Sequence, residues 1–255
     1  MGVILKSRRE LDAMREAGRV VGQILERLRE AAKPGVSTGE LDELAAALIR
    51  EHGVKSAFKG YAPGGLPAYP AVLCASINDE IVHGIPSRKR VLKEGDIIGL
   101  DFGIVKDGWY GDSAITVGVG AISDEAARLV DATRRCLEIG IEQAKVGNRL
   151  FDIGAAIQSY AEGLGFGVTR DFVGHGIGRR MHEDPQVPNY GKAGQGIRLK
   201  AGMVLAIEPM INAGTWEVDV LEDQWTAVTA DGRLSAHFEH TVAITEEGPV
   251  VLTLP

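Results

Sequence analysis

Four carboxylates and one imidazole stand where ordinary packing has no use for them. Asp101 ends the apolar run Ile97-Ile98-Gly99-Leu100, and Asp112 follows across the dipeptide Asp107-Gly108. Asp-Gly between apolar stretches is a strong hairpin signal, because the tight turn needs positive φ at both central positions. With that turn, residue 103 pairs with 112, so Asp112 lies diagonally across from Asp101 on one face. Diagonal neighbours are about 7–8 Å apart at most between Cα atoms, and two carboxylates can then converge on one ion. Further on, His175 sits between glycines in Gly174-His175-Gly176-Ile177-Gly178, after a strand-like stretch from Val168 to Val173. Flanking glycines let a backbone approach a site closely. Glu208 ends the run Met203-Val204-Leu205-Ala206-Ile207, and Glu239 opens His240-Thr241-Val242-Ala243-Ile244. An ionised carboxylate in a buried strand is costly unless paired or metal-bound, so the set predicts a cation site. Oxygen-rich ligands with one imidazole suit Mn, Fe or Co better than structural zinc.

The elements that must position these residues are written twice. Leu92-Lys-Glu-Gly-Asp-Ile-Ile-Gly-Leu-Asp101 is echoed by Leu199-Lys-Ala-Gly-Met-Val-Leu-Ala-Ile-Glu208, which makes Glu208 the counterpart of Asp101. Upstream, Val36 to Asp42 with Ala45-Ala46 is echoed by Val146 to Asp152 with Ala155-Ala156. Each half reads helix, helix, strands. Ser7 with Glu10 and Ser37 with Glu40 form capping boxes, and Asn148 is the expected N-cap of the matching helix in the second half. The expectation is one α/β domain over residues 1–255, with halves at approximately 1–120 and 121–255. Their strands meet at a central axis, where carboxylates occupy both matching positions.

Composition bounds the partners. The chain has 255 residues, 45% apolar and 25% charged, which is globular and excludes collagen-like or broadly disordered classes. A net charge of −7 gives no global basic field for a nucleic acid. The dense basic stretch, Arg88-Lys89-Arg90 with Lys93, reads as a solvated loop, with a transient ribosome contact as the functional alternative. Cys74 and Cys136 form no CxxC, so neither a disulfide framework nor a zinc knuckle is encoded, in keeping with a cytoplasmic location. The apolar start Gly2-Val3-Ile4-Leu5 stops at Lys6, and no 18-residue apolar stretch occurs, so no signal peptide or membrane segment is expected.

The combination of Asp101, Asp112, His175, Glu208 and Glu239 with Phe172-Val-Gly-His175-Gly-Ile-Gly-Arg-Arg-Met-His182-Glu-Asp-Pro-Gln-Val187-Pro-Asn189-Tyr190 resembles the methionine aminopeptidases. The likeness spans essentially the whole chain. It is greatest to the short, type I bacterial form, since no zinc-binding extension precedes the first capping box and the Glu208–Glu239 interval leaves no room for the type II insertion. The resemblance implies the pita-bread (creatinase/aminopeptidase) fold, two pseudo-symmetric α/β halves around a central antiparallel sheet. It implies a metal-dependent hydrolase, acting as a monomer, that removes N-terminal methionine from peptides and nascent chains with a small second residue. Two divalent ions (Co, Mn, Fe or Zn) would be bridged by Asp112 and Glu239, with Asp101 on one and His175 with Glu208 on the other. A metal-bridged water would attack the scissile carbonyl while Glu208 shuttles its proton.

By the same resemblance His182 stabilises the tetrahedral intermediate. His83, in Asn78-Asp-Glu-Ile-Val-His83-Gly-Ile-Pro86, contacts the scissile amide nitrogen. The methionine pocket maps to Tyr69, Cys74, Met181 and Trp225, with His83 at the rim. Met181 stands where the family usually has Phe, and Leu66 where Tyr is common. A monovalent cation is implied near Asn78 and Ser235. His52, His237 and His240 read as structural, although the last two flank Glu239 and could orient it. The competing readings are a proline-specific peptidase of the same fold and a non-catalytic peptide-binding module.

Overall fold

Both N-terminal helices of the computed structural model, which describes residues 2–255, begin at their capping boxes. The Glu10 carboxylate accepts from the Ser7 backbone N–H at 2.8 Å and opens α1 (Arg8–Ala31). Glu40 accepts from the Ser37 N–H at 2.9 Å and opens α2 (Thr38–Glu51). Strands follow as β1 (Lys55–Ser56), β2 (Cys74–Ile77), β3 (Glu80–Val82), β4 (Ile97–Lys106) and β5 (Trp109–Gly118). The chain then returns to helices, α3 (Asp124–Gln143) and α4 (Leu150–Gly163). Next come β6 (Gly167–Val168), β7 (Gly174–Gly176), β8 (Glu183–Val187), β9 (Val204–Ile207) and β10 (Met210–Asn212). The last strands are β11 (Val218–Val220), β12 (Ala227–Thr229), β13 (Ser235–His237), β14 (Glu239–Thr245) and β15 (Gly248–Val251).

Two local expectations need correction. The N-cap of α4 is Arg149, whose N–H donates to Asp152 at 2.7 Å, because the Asn148 amide is spent closing α3 on the Gln143 carbonyl at 2.9 Å. The stretch Val168 to Val173 is not one strand. Its pairing with β10 stops after Val168, and Arg170 turns out to stack on Trp216 at 4.5 Å.

A nine-stranded antiparallel sheet runs β1-β4-β5-β14-β9-β7-β8, with β2 beside β4 and β15 beside β14. Strand alternation divides its residues between two faces. Leu100, Phe102 and Ile104 are fully buried against α1 and α2, while Leu205, Ile207, Val242 and Ile244 pack with α3 and α4. Both helix pairs thus cover one face, and the intervening positions of the strands look the other way. Among the described residues, no helix is long and apolar enough to cross a membrane.

The N-terminal arm is tied into this frame by charge. Lys6 Nζ lies 2.7 Å from Glu183 Oε2 with both side chains buried, and Glu183 also accepts the N–H groups of Arg179 and Arg180. Removing one partner of a buried pair strands the other charge. Lys6→Met is therefore expected to lose about 3 kcal/mol of stability, read as a lower urea midpoint at unchanged slope.

Candidate active site

Register alone gathers the five predicted residues on one face. Gly108 and Asp107 both have positive φ, at 78° and 51°, so the hairpin turns where expected and Gly103 pairs with Asp112. Ala114 is the hinge of the arrangement: it lies opposite Asp101 on β4 and opposite Glu239 on β14. Ala206 plays the same part further along, opposite Thr241 and His175. Directly opposed residues share a face, as do residues two apart on one strand. Asp101, Asp112, Glu239 and His175 consequently point the same way, and Glu208, two beyond Ala206, joins them at the end of β9. Gly174 and Gly176 are needed here, since a Cβ on Gly176 would lie 2.2 Å from the Asp184 carbonyl and one on Gly174 2.4 Å from that of Ala206.

Ligating atoms of Asp112, His175 and Glu239 all lie within 4.8 Å of one another. His175 Nε2 is 3.6 Å from Glu208 Oε1. Asp101 Oδ1, Asp112 Oδ1 and Glu239 Oε1 are buried without a hydrogen-bond partner. Such orphaned oxygens are rare in a folded interior and ask for a cation. His175 fits the same demand: Nδ1 is 2.9 Å from the Gly176 carbonyl and must donate, which leaves Nε2 with its lone pair. Burial pushes Asp112 up to about 7. Asp101, Glu208 and Glu239 go well above the usual carboxylate range, through burial first and one another's charge second. A set of this chemistry fits divalent metal, which would replace the protons.

Beside the acidic face opens a cavity of about 540 Å³. Tyr69, Cys74, Met181 and Trp225 form one apolar cluster with Phe58 on its wall, so the four pocket residues expected from sequence do come together. Tyr69 is fixed by its hydroxyl to the carbonyls of Leu73 and Gly84, both at 3.1 Å, and meets Trp225 edge-on at 5.2 Å. His83 stands edge-on to Phe172 and Trp225, at 5.4 and 5.9 Å, with a backbone φ of 62°. A non-glycine residue held there is strained, a feature concentrated at functional sites. Burial lowers His83 to about 4 and His175 to about 3, so both rings are neutral.

Some of the site was not foreseen. Tyr61, not singled out in the sequence, lines the cavity with its hydroxyl 2.7 Å from His182 Nδ1, while Leu66 sits at the exposed rim. Nothing in the pattern Phe58-Lys59-Gly60-Tyr61 sets it apart from a loop aromatic. His237 is buried with Nε2 3.8 Å from Glu208 Oε2, beside the acidic cluster and not simply within the core. His240 keeps a structural place, hydrogen-bonded to Thr253 at 2.8 Å, and His52 ends α2 at the surface.

The model of metallopeptidase family M24 matches residues 12–246. A methionine aminopeptidase of Clostridium acetobutylicum is 52% identical over 252 residues, covering 99% of each chain. The chain belongs to the methionine aminopeptidases of family M24. A crystal structure of the Thermotoga maritima methionine aminopeptidase superposes with a TM-score of 0.96 at 46% identity, over all of both chains. The prolidase of Pyrococcus horikoshii shares the pita-bread fold at 20% identity, with a TM-score of 0.77, and 63% of its length is covered. Membership in the methionine aminopeptidases agrees with both features of the site, an acidic face and an apolar cavity beside it.

Proposed function

We propose that this chain removes the N-terminal methionine of peptides and nascent proteins with a small second residue. The observation that carries the reading is the junction of the buried acidic cluster with an apolar wall of Phe58, Tyr69, Cys74, Met181 and Trp225 in one cavity. Asp101, Asp112, His175, Glu208 and Glu239 would hold two divalent ions, and Mn, Fe or Co suits these ligands best. Such ions supply Lewis acidity, which acidifies water and polarises a carbonyl.

The protein's own groups do the rest. Phe58, Tyr69, Cys74, Met181 and Trp225 enclose the methionine side chain, and the flexible Met181 adapts to its shape. The acidic site would recognise a free α-amine, which a formyl group would remove. Glu208 takes the proton of the attacking water and delivers it to the leaving amine. His182 donates to the oxygen of the tetrahedral intermediate, and neutral His83 contacts the scissile nitrogen.

Several finer readings travel with this one. The chain acts as one catalytic domain of two halves, supported by a central sheet that takes strands from both. A monovalent cation would bind near Asn78 and Ser235, a reading supported by the φ of 58° at Asn78 and the 2.8 Å hydrogen bond from the Ser235 N–H to its carbonyl. A ribosome contact in the cytoplasm would fall to Lys89 and Lys93, because Arg88 is paired with Glu43 and Arg90 with Glu80.

The test is release of free amino acid from Met-Ala-Ser, Leu-Ala-Ser and Ala-Pro-Ser by metal-stripped protein, with and without added Mn or Co. Metal-dependent release from the Met peptide alone is expected. Release from the Pro peptide would favour the proline-specific reading, and none from any peptide a binding module.

A further inference from the structure

His175 and His182 lie ring against ring, centroids 4.3 Å apart with planes tilted by 59°, yet their Nδ1 atoms face opposite chemistry. His175 Nδ1 meets the Gly176 carbonyl, which can only accept. His182 Nδ1 meets the Tyr61 hydroxyl at 2.7 Å. A phenol is a good donor and a poor acceptor, because its oxygen lone pair is shared with the ring. A bare imidazole nitrogen is a strong acceptor, so Tyr61 donates and the proton of His182 is left on Nε2.

We propose that Tyr61 is a positioning residue that holds His182 as the Nε2–H tautomer. The two adjacent imidazoles are thereby set to opposite roles, His175 offering a lone pair and His182 a proton. The inference rests on the aminopeptidase reading for what that proton meets, the developing oxyanion. The reverse tautomer would aim a lone pair at negative charge.

Tyr61 is seated for this purpose. Its backbone N–H donates to the Phe58 carbonyl at 2.9 Å, and its own carbonyl accepts from the Tyr69 N–H at 2.8 Å. The phenol ring lies 5.4 Å from the imidazole. Desolvation raises the pKa of Tyr61, which keeps the hydroxyl protonated at neutral pH. The loop from 61 to 69 thus reaches across to the segment bearing His182 and fixes one atom of it.

The experiment joins a spectrum to kinetics. In 15N NMR of the protein, metal-free and zinc-loaded, His182 should show a protonated Nε2 and a hydrogen-bonded, unprotonated Nδ1. Tyr61→Phe should abolish the hydrogen-bonded Nδ1 signature and lower kcat for Met-Ala-Ser about tenfold, with KM within about twofold. In a His182→Ala background the same substitution should have no further effect, because Tyr61 acts through His182. A protonated Nδ1 in the wild type overturns the proposal, as does an equal loss in both backgrounds. If the wild type releases no methionine, the functional reading fails, while the spectrum still decides the tautomer.

Discussion

Glu208→Gln should release methionine from Met-Ala-Ser about 10³-fold more slowly than the wild type while remaining folded. Glutamine keeps the shape of the side chain but cannot take a proton from water. It also brings an amide where a carboxylate now faces His175 Nε2 at 3.6 Å and His237 Nε2 at 3.8 Å. The backbone at this point is held independently, since the Asn189 amide donates to the Glu208 carbonyl at 2.9 Å. The loss should therefore appear in kcat, and the metal-free variant should melt no lower than the metal-free wild type, because burial and the neighbouring Asp101 and Asp112 charges already disfavour the Glu208 carboxylate. A loss under about tenfold would remove Glu208 from the proton-transfer role, because positioned general acid–base groups contribute about 10²–10⁴-fold.

Asp112→Asn should separate stability from function in opposite directions. Burial raises the Asp112 pKa to about 7 from an ordinary 3.8. Between those values the metal-free native state binds more protons than the unfolded chain, so its stability falls as pH rises through that window. Above about pH 7 the penalty is complete, and it is of the order of a few kcal/mol. Asparagine carries no such penalty and relieves its acidic neighbours. The metal-free variant should melt above the metal-free wild type at pH 8, and the gap should narrow as the pH is lowered through 7 and close only near the ordinary value of 3.8. Mn or Co should raise the wild-type melting temperature and leave the variant's nearly unchanged. A variant that melts lower at pH 8, or is stabilised by metal like the wild type, would contradict the shared role of Asp112.

What the sequence made legible was mostly local. The Asp107-Gly108 turn fixes the pairing of Gly103 with Asp112 because one hairpin register follows from one turn. The capping boxes at Ser7 and Ser37 depend only on residues three apart. The internal echo also linked Asp101 with Glu208 without any three-dimensional information. Other features depended on partners distant along the chain. That Asp101 and Glu239 face the same Ala114 follows from the pairing of β5 with β14, across more than a hundred residues. Asn148 is a good N-cap by type, yet its amide was already committed to the end of α3. Tyr61 was missed because a loop aromatic carries no periodic signature, and His237, placed beside Glu239 from its sequence position, turns out to face Glu208 instead. Their meaning comes from His182 and Glu208, which only the folded chain brings beside them.

The most direct test of the acidic face as the catalytic metal centre is anomalous diffraction at the Mn edge, from crystals of protein shown to release methionine with Mn. Two peaks should lie among Asp101, Asp112, His175, Glu208 and Glu239, with Asp112 and Glu239 in contact with both. An active, Mn-loaded crystal with no peak between these residues would contradict it.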